Sequence, residues 1–191
     1  RKLLQWMGAP DDVINKVAFD VMRENEGVNV KEHIAKLPTF NTVPLPDDAV
    51  KIADIKNFDQ YSLAILEYMS KRNLNLDDTD YYWSSSLGYR DRHIIPVNYE
   101  ERRVGWTGRS IIDDKKPRYL TEVQPGFVYG LDEQGPNKIF CIVVEGQLDA
   151  IHIDGCALGG SEIADQQAML LNRLQKQIIV VPDRDKSGSK L

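Results

Sequence analysis

The chain has 191 residues, 42% hydrophobic and 28% charged, with a net charge of −5 at neutral pH. That balance excludes a disordered or collagen-like chain and fits a globular protein of one large or two small domains. No run of about 18 apolar residues occurs, so no membrane-spanning helix is expected.

No signal peptide opens the sequence. The chain begins with Arg1 rather than Met and its last residues fall inside a motif, which reads as a fragment of a longer protein. Cys141 and Cys156 are far apart in sequence and neither has a CxxC partner. A disulfide framework and a cysteine zinc site are therefore not expected. Cys141 reads as a buried structural thiol, and the protein as cytoplasmic. The charge is uneven. Residues 1–80 hold 10 basic and 14 acidic side chains, net −4, while residues 90–118 hold 8 basic and 5 acidic, net +3.

In chain order, Pro10 starts a helical pattern with Val13, Val17 and Val21 on one face, fading at Glu26-Gly27. A proline-rich loop (Pro38, Pro44, Pro46) leads to Ala49–Asp54, a candidate strand. Gln60–Arg72 is an amphipathic helix with Leu63, Ile65, Leu66 and Met69 apolar. Asn73–Ser86 reads as loop and turn. Ile94, Ile95 and Val97 form a strand broken by Pro96, which suggests an edge. The charged turn Glu100–Arg103 then makes a hairpin with Val104–Arg109.

The last third changes character. Lys138–Val144 is a continuous apolar run, the pattern of a strand buried on both faces. Gly146–Asp154 can be helical, and Gly155–Gly160 is a short strand and glycine turn. Ser161–Lys176 is a helix with Ser161 at the cap and Ala164, Ala168, Leu171 and Leu174 on one face. Gln177–Val181 is another buried strand. The class is therefore α/β: a mixed α+β part over residues 1–136, then a doubly wound parallel sheet over 137–191, incomplete at its C-terminus.

Both buried strands of that sheet end in carboxylates: Glu145, with Asp149 four residues on, and Asp183 with Asp185. Ligands bind beyond the carboxyl ends of strands in open α/β sheets. Asp183 and Asp185 leave an extended backbone on the same face, and Asp149 lies one helical turn after Glu145. Acids gathered this closely repel, and a hard divalent cation relieves the repulsion. Oxygen-only ligands suit Mg²⁺ or Mn²⁺, which makes Glu145, Asp149, Asp183 and Asp185 the candidate metal ligands.

A Glu after the first strand and Asp-x-Asp after the third resemble the toprim domain of DnaG-type primases, type IA and type II topoisomerases, OLD-family nucleases and RecR-type recombination proteins. EGQLDA resembles the primase variant, with its second acid, and PDRDKSG the form found in phage primases. The upstream run YRDRHIIPVNYEERRVGWTGRSI resembles the segment before toprim in DnaG-type primases, through Arg90, Arg92, Pro96, Gly105, Gly108 and Arg109. Pro117, Arg118, Tyr119 and Leu120, then Tyr129, Gly130 and Leu131, are similar to further elements of that family. Arg118 stands where the family has Lys. The resemblance spans about residues 63–191.

That resemblance implies a primase, joining ribonucleoside triphosphates into short RNA primers on a single-stranded DNA template. It makes Glu145, Asp183 and Asp185 catalytic. It places Arg90, Arg92, Arg109, Lys115, Lys116, Arg118, Tyr119 and Lys186 on nucleic acid or nucleotide, with a replicative helicase as further partner and no membrane. Tyr89, Tyr119 and Trp106 are candidate base-stacking rings, Trp106 reading better as packing. Two other readings use the same acids: a toprim nuclease or topoisomerase domain, and a non-catalytic nucleic-acid-binding module.

Overall fold

The structure is a computed structural model that describes residues 10, 12–14, 16, 37–77 and 79–183. Most of the helix expected after Pro10, including Val17 and Val21, lies outside the described residues. The chain divides into two compact units, Arg1–Lys36 and Leu37–Leu191, and every element with stated bounds belongs to the second.

The first half of that unit is a five-stranded antiparallel sheet in simple order: β1 (Ala49–Lys51), β2 (Tyr82–Ser84), β3 (Arg92–Tyr99), β4 (Arg102–Ser110) and β5 (Tyr119–Val123). The candidate strand Ala49–Asp54 is half right, because Ile52–Asp54 turns into a 3-10 helix. β2 lies in a stretch expected to be loop. Its three residues are too few to show a period, and Asp48 fixes them instead by accepting from the Ser84, Ser85 and Ser86 hydroxyls and the Ser86 amide.

Pro96 does not break β3. The register with β2 stops at Tyr82 opposite Ile94, so at Pro96 the strand has only β4 beside it. One flank carries no strand there, the place where a residue without an N–H is tolerated. The hairpin forms at the expected turn. Glu100 (φ 51°) and Glu101 (φ 61°) both take the left-handed conformation, and both their amides donate to the Asp132 carboxylate at 3.0 and 3.2 Å.

Helix α1 (Gln60–Lys71) starts at a capping box. Asp59 accepts from the Tyr61 and Ser62 amides, and Ser62 Oγ accepts from the Asp59 amide. Ile65 and Met69, one turn apart, face the core, whereas Leu63 of the expected apolar set faces solvent.

The second half is a three-stranded parallel sheet in the order β7-β6-β8, with helices between. It comprises β6 (Phe140–Val144), α2 (Gln147–Ile153), β7 (Cys156–Ala157), α3 (Asp165–Arg173) and β8 (Gln177–Val180). The chain leaves β6 to one side and returns on the other, which is the doubly wound pattern. Two expectations need correction. α3 starts at Asp165 rather than after Ser161, its first free amide at Ala164 met by Gln167 Oε1, and Gln167, Leu170 and Leu171 are the buried face. β8 is not buried on both faces, since Ile179 and Val180 are each 39% exposed. It is the edge strand of the described sheet, so only β6 pairs with it.

The two halves share one hydrophobic cluster running from Ile52, Ile65 and Trp83 through Ile95 and Val97 to Val143, Leu158 and Leu170. Tyr129 and Ala157 exchange both backbone hydrogen bonds and so lay the connecting segment along β7. Gly130 has φ +81°, and a Cβ there would meet the Gly155 carbonyl at 2.4 Å, so only glycine fits. The cysteines, distant in sequence, meet in this core as free buried thiols with sulfurs 3.4 Å apart.

Candidate active site

A cleft of about 490 Å³ opens between the two sheets. Parity decides which side chains reach it. His93, Ile95, Thr107, Arg109, Tyr119 and Thr121 share one face, because register pairs His93 with Arg109, Ile95 with Thr107, Thr107 with Thr121 and Arg109 with Tyr119. Of these, Ile95, Thr107, Arg109, Tyr119 and Thr121 line the cleft, and Arg118 joins them from the end of the β4–β5 loop.

The opposite wall is the carboxyl edge of the parallel sheet. In the order β7-β6-β8 the switch point lies between β6 and β8, where a doubly wound sheet opens a crevice. Glu145 follows β6 and Asp183 follows β8, so both stand at that crevice, and the Asp183 amide donates to Glu145 Oε1 at 3.3 Å. Asp149, in the first turn of α2, lines the same cleft and folds back over Gly146. A Cβ on Gly146 would sit 2.7 Å from Asp149 Oδ2, so the glycine makes room for that carboxylate.

Three of the four expected acids are thus brought to one cleft, facing Arg109 and Arg118. The fourth, Asp185, and Lys186 lie outside the described residues. Among the described residues no three acidic, histidine or cysteine side chains close into a metal cage. The donor chemistry is nonetheless oxygen alone, the set that a hard divalent cation takes.

The basic side chains expected to act together separate. Arg109 is largely buried, donates to the Tyr119 hydroxyl and lies 5.2 Å from the centre of the Tyr119 ring. Arg92 is corrected. It is one residue out of phase with His93, so it faces away from the cleft and is 2% exposed. Its guanidinium donates to the carbonyls of Gly108, Pro117 and Arg118 at 3.1, 2.8 and 3.2 Å, which spends it on holding the β4–β5 loop. Burial, partly offset by Asp91, pulls its pKa below the usual arginine range.

Arg90 stacks 4.4 Å from the centre of the Tyr61 ring, away from the cleft. Lys115 pairs with Asp91 at 2.7 Å, and Lys116 is exposed. Trp106 packs edge-on against Tyr89 at 5.7 Å on the far face of the sheet, as packing rather than a stacking platform. The sequence reading missed Thr107, Thr121 and Gln147. All three line the cleft, and the Gln147 amide is buried without a hydrogen-bond partner among the described residues. The threonines carried no local signal, because their face is set by the register of β4 with β3 and β5.

No family model matches the chain. It is 30% identical to a DNA primase of Clostridium acetobutylicum over 115 residues, which is 52% of this chain and 19% of that protein. It is 29% identical to a DNA primase of Aquifex aeolicus over 122 residues, 53% of this chain and 24% of that protein. The chain thus spans about a fifth to a quarter of the length of these relatives. In structure it is similar to the catalytic core of the E. coli primase, with a TM-score of 0.55 at 20% identity over 68% of this chain and 58% of that one. It is similar at 0.55 and 18% to a DnaG primase catalytic domain bound to single-stranded DNA, over 68% of this chain and 57% of that one. The chain therefore resembles DNA primases in sequence over half its length and has the mixed α/β fold of the DnaG catalytic core.

Proposed function

We propose that the chain carries part of the polymerase core of a DnaG-type DNA primase, joining ribonucleoside triphosphates on a single-stranded DNA template. The observation that carries this reading is the cleft itself. Carboxylates at the switch point of a parallel sheet face arginines presented by an antiparallel sheet, in a chain similar to primases. Residues 137–191 are assigned to a toprim domain and residues 1–136 to the subdomain that precedes it.

The work divides between the walls. Glu145, Asp149, Asp183 and Asp185 would hold Mg²⁺ or Mn²⁺, which when bound lowers the pKa of an attacking hydroxyl and neutralises charge on the leaving pyrophosphate. Gly146 keeps the backbone clear of Asp149. Arg109 and Arg118 hold phosphates of template or nucleotide opposite the acids, and Tyr119 offers its exposed ring to a base. Single-stranded DNA as partner is supported by the DnaG relative solved with it. A replicative helicase remains the further partner implied by the family.

The test is primer synthesis by the full-length protein. Glu145→Gln and Asp183→Asn are nearly isosteric. Each should abolish synthesis from ribonucleotides while affinity for single-stranded DNA is kept, because phosphates are held on the other wall. Synthesis at a rate close to wild type would remove these acids from the reaction. A wild type that cleaves DNA with Mg²⁺ and makes no RNA would replace the primase by the toprim nuclease reading.

A further inference from the structure

His93 is fully buried, and neither ring nitrogen has a hydrogen-bond partner among the described residues. A polar group buried this way costs stability that an apolar side chain of similar volume would not. Its setting shows what the cost is spent on. His93 packs against the rings of Tyr81 and Tyr68, with centroids 4.7 and 6.0 Å away. On the adjoining strand it stands directly opposite Arg109. Residues paired so in an antiparallel ladder have Cβ atoms about 5 Å apart on the same face.

Arg109 is held by tyrosines: its charge is felt by the Tyr68 hydroxyl as well as by Tyr119. One terminal nitrogen donates to the Tyr119 hydroxyl, while Nε is buried without a partner among the described residues. Arg109 Nε and both His93 nitrogens are thus buried and unpartnered among the described residues, on side chains paired across the same face. Burial first, and the Arg109 charge second, push the His93 pKa down to about 3. A neutral imidazole keeps one nitrogen as an acceptor, which an imidazolium would not.

We propose that His93 is a positioning residue for Arg109, its imidazole accepting the Arg109 Nε–H when the guanidinium turns from Tyr119 to a phosphate in the cleft. The proposal rests on the reading of Arg109 as a phosphate-binding residue. The ring would then set the direction of the buried arginine opposite it.

A double-mutant cycle tests it, with a fluorescent oligothymidylate as probe and thermal unfolding run in parallel. Arg109→Ala should weaken binding and lower the slope of log affinity against log salt by roughly 1. His93→Leu should weaken binding roughly tenfold, the size of one lost hydrogen bond to a charged group, with an unchanged or raised Tm. Added to Arg109→Ala, it should have no further effect. His93→Gln, which restores a neutral acceptor, should recover most of the affinity. A His93→Leu variant that binds as wild type, or one that weakens binding equally in both backgrounds, overturns the positioning role while leaving Arg109's role intact. If Arg109→Ala itself binds as wild type, the reading beneath falls and the proposal with it.

Discussion

His93 also controls how the protein answers acid. Its ordinary pKa is 6.5, and burial beside Arg109 pushes it down to about 3 in the folded chain. Between these values the unfolded chain binds a proton that the native chain refuses, so stability falls as pH falls below 6.5. At pH 5 the loss from this one group is about 2 kcal/mol. Asp48 and Asp59 are carboxylates held below their usual 3.8, Asp48 first by the Ser84 hydroxyl and Asp59 first by the Ser62 amide. Their contribution is present above 3.8 and is lost only further down, so they are silent in this window. Denaturant unfolding of wild type and His93→Leu at pH 7.5 and pH 5 should therefore show the variant losing about 2 kcal/mol less than wild type. Parallel losses would mean that His93 titrates normally. At this scale the sequence was a partial guide. Glu145, Asp149 and Asp183 were legible because strand ends and a four-residue helical step are local patterns. Arg92 and Arg109 looked equivalent, and only the cross-strand register shows that they occupy opposite faces.

Among the elements, the β3–β4 hairpin is the least at ease with its own residues. Two adjacent non-glycine residues at φ 51° and 61° form a turn that asparagine and glycine prefer. Asp132 holds it by accepting both amides, and Arg173 reaches the Glu100 carboxylate at 3.1 Å. Among the described residues the Glu101 side chain makes no hydrogen bond or ion pair, and glycine has no penalty at positive φ. Relief of the left-handed strain outweighs the extra freedom glycine gives the unfolded chain, so Glu101→Gly should raise unfolding free energy by about 0.5–1 kcal/mol in a urea titration, with an unchanged m-value. A lower midpoint would show that the left-handed pair is not strained. The hairpin could be read from sequence because its strands are long and its turn is charged. β2 and the 3-10 turn at Ile52–Asp54 could not, since each is three residues held by distant partners: Ser84 by Asp48, and the Ile52 amide by the Tyr81 carbonyl. β8 misled for another reason. Its apolar residues matched a strand covered on both faces, but burial depends on what packs there, which a run of four residues does not encode.

The whole unit is two sheets meeting with opposite charge across one cleft, Glu145, Asp149 and Asp183 on one wall and Arg109 and Arg118 on the other. The doubly wound order was readable from the alternation of apolar runs and helical stretches. The antiparallel sheet was only half visible, and with it the basic wall, since that wall exists only once β3, β4 and β5 are in register. Charge of one sign crowded on one wall has a thermodynamic signature. Asp183→Asn removes one negative charge from that wall, so it should raise the Tm of the chelator-treated protein. With metal, a ligand that binds only the folded chain adds stability, about 1.4 kcal/mol at ten times its dissociation constant. Wild type should therefore gain Tm on titration with Mg²⁺ or Mn²⁺. Glu145→Gln and Asp183→Asn should lose most of that gain, and Arg109→Ala should keep it, because the arginine works from the far wall. Scanning calorimetry with and without EDTA separates these cases. If Asp183→Asn retains the full metal-induced shift, the cation is held elsewhere. If Arg109→Ala loses it as completely as the acid variants do, the two walls are not independent and the division of labour between them fails.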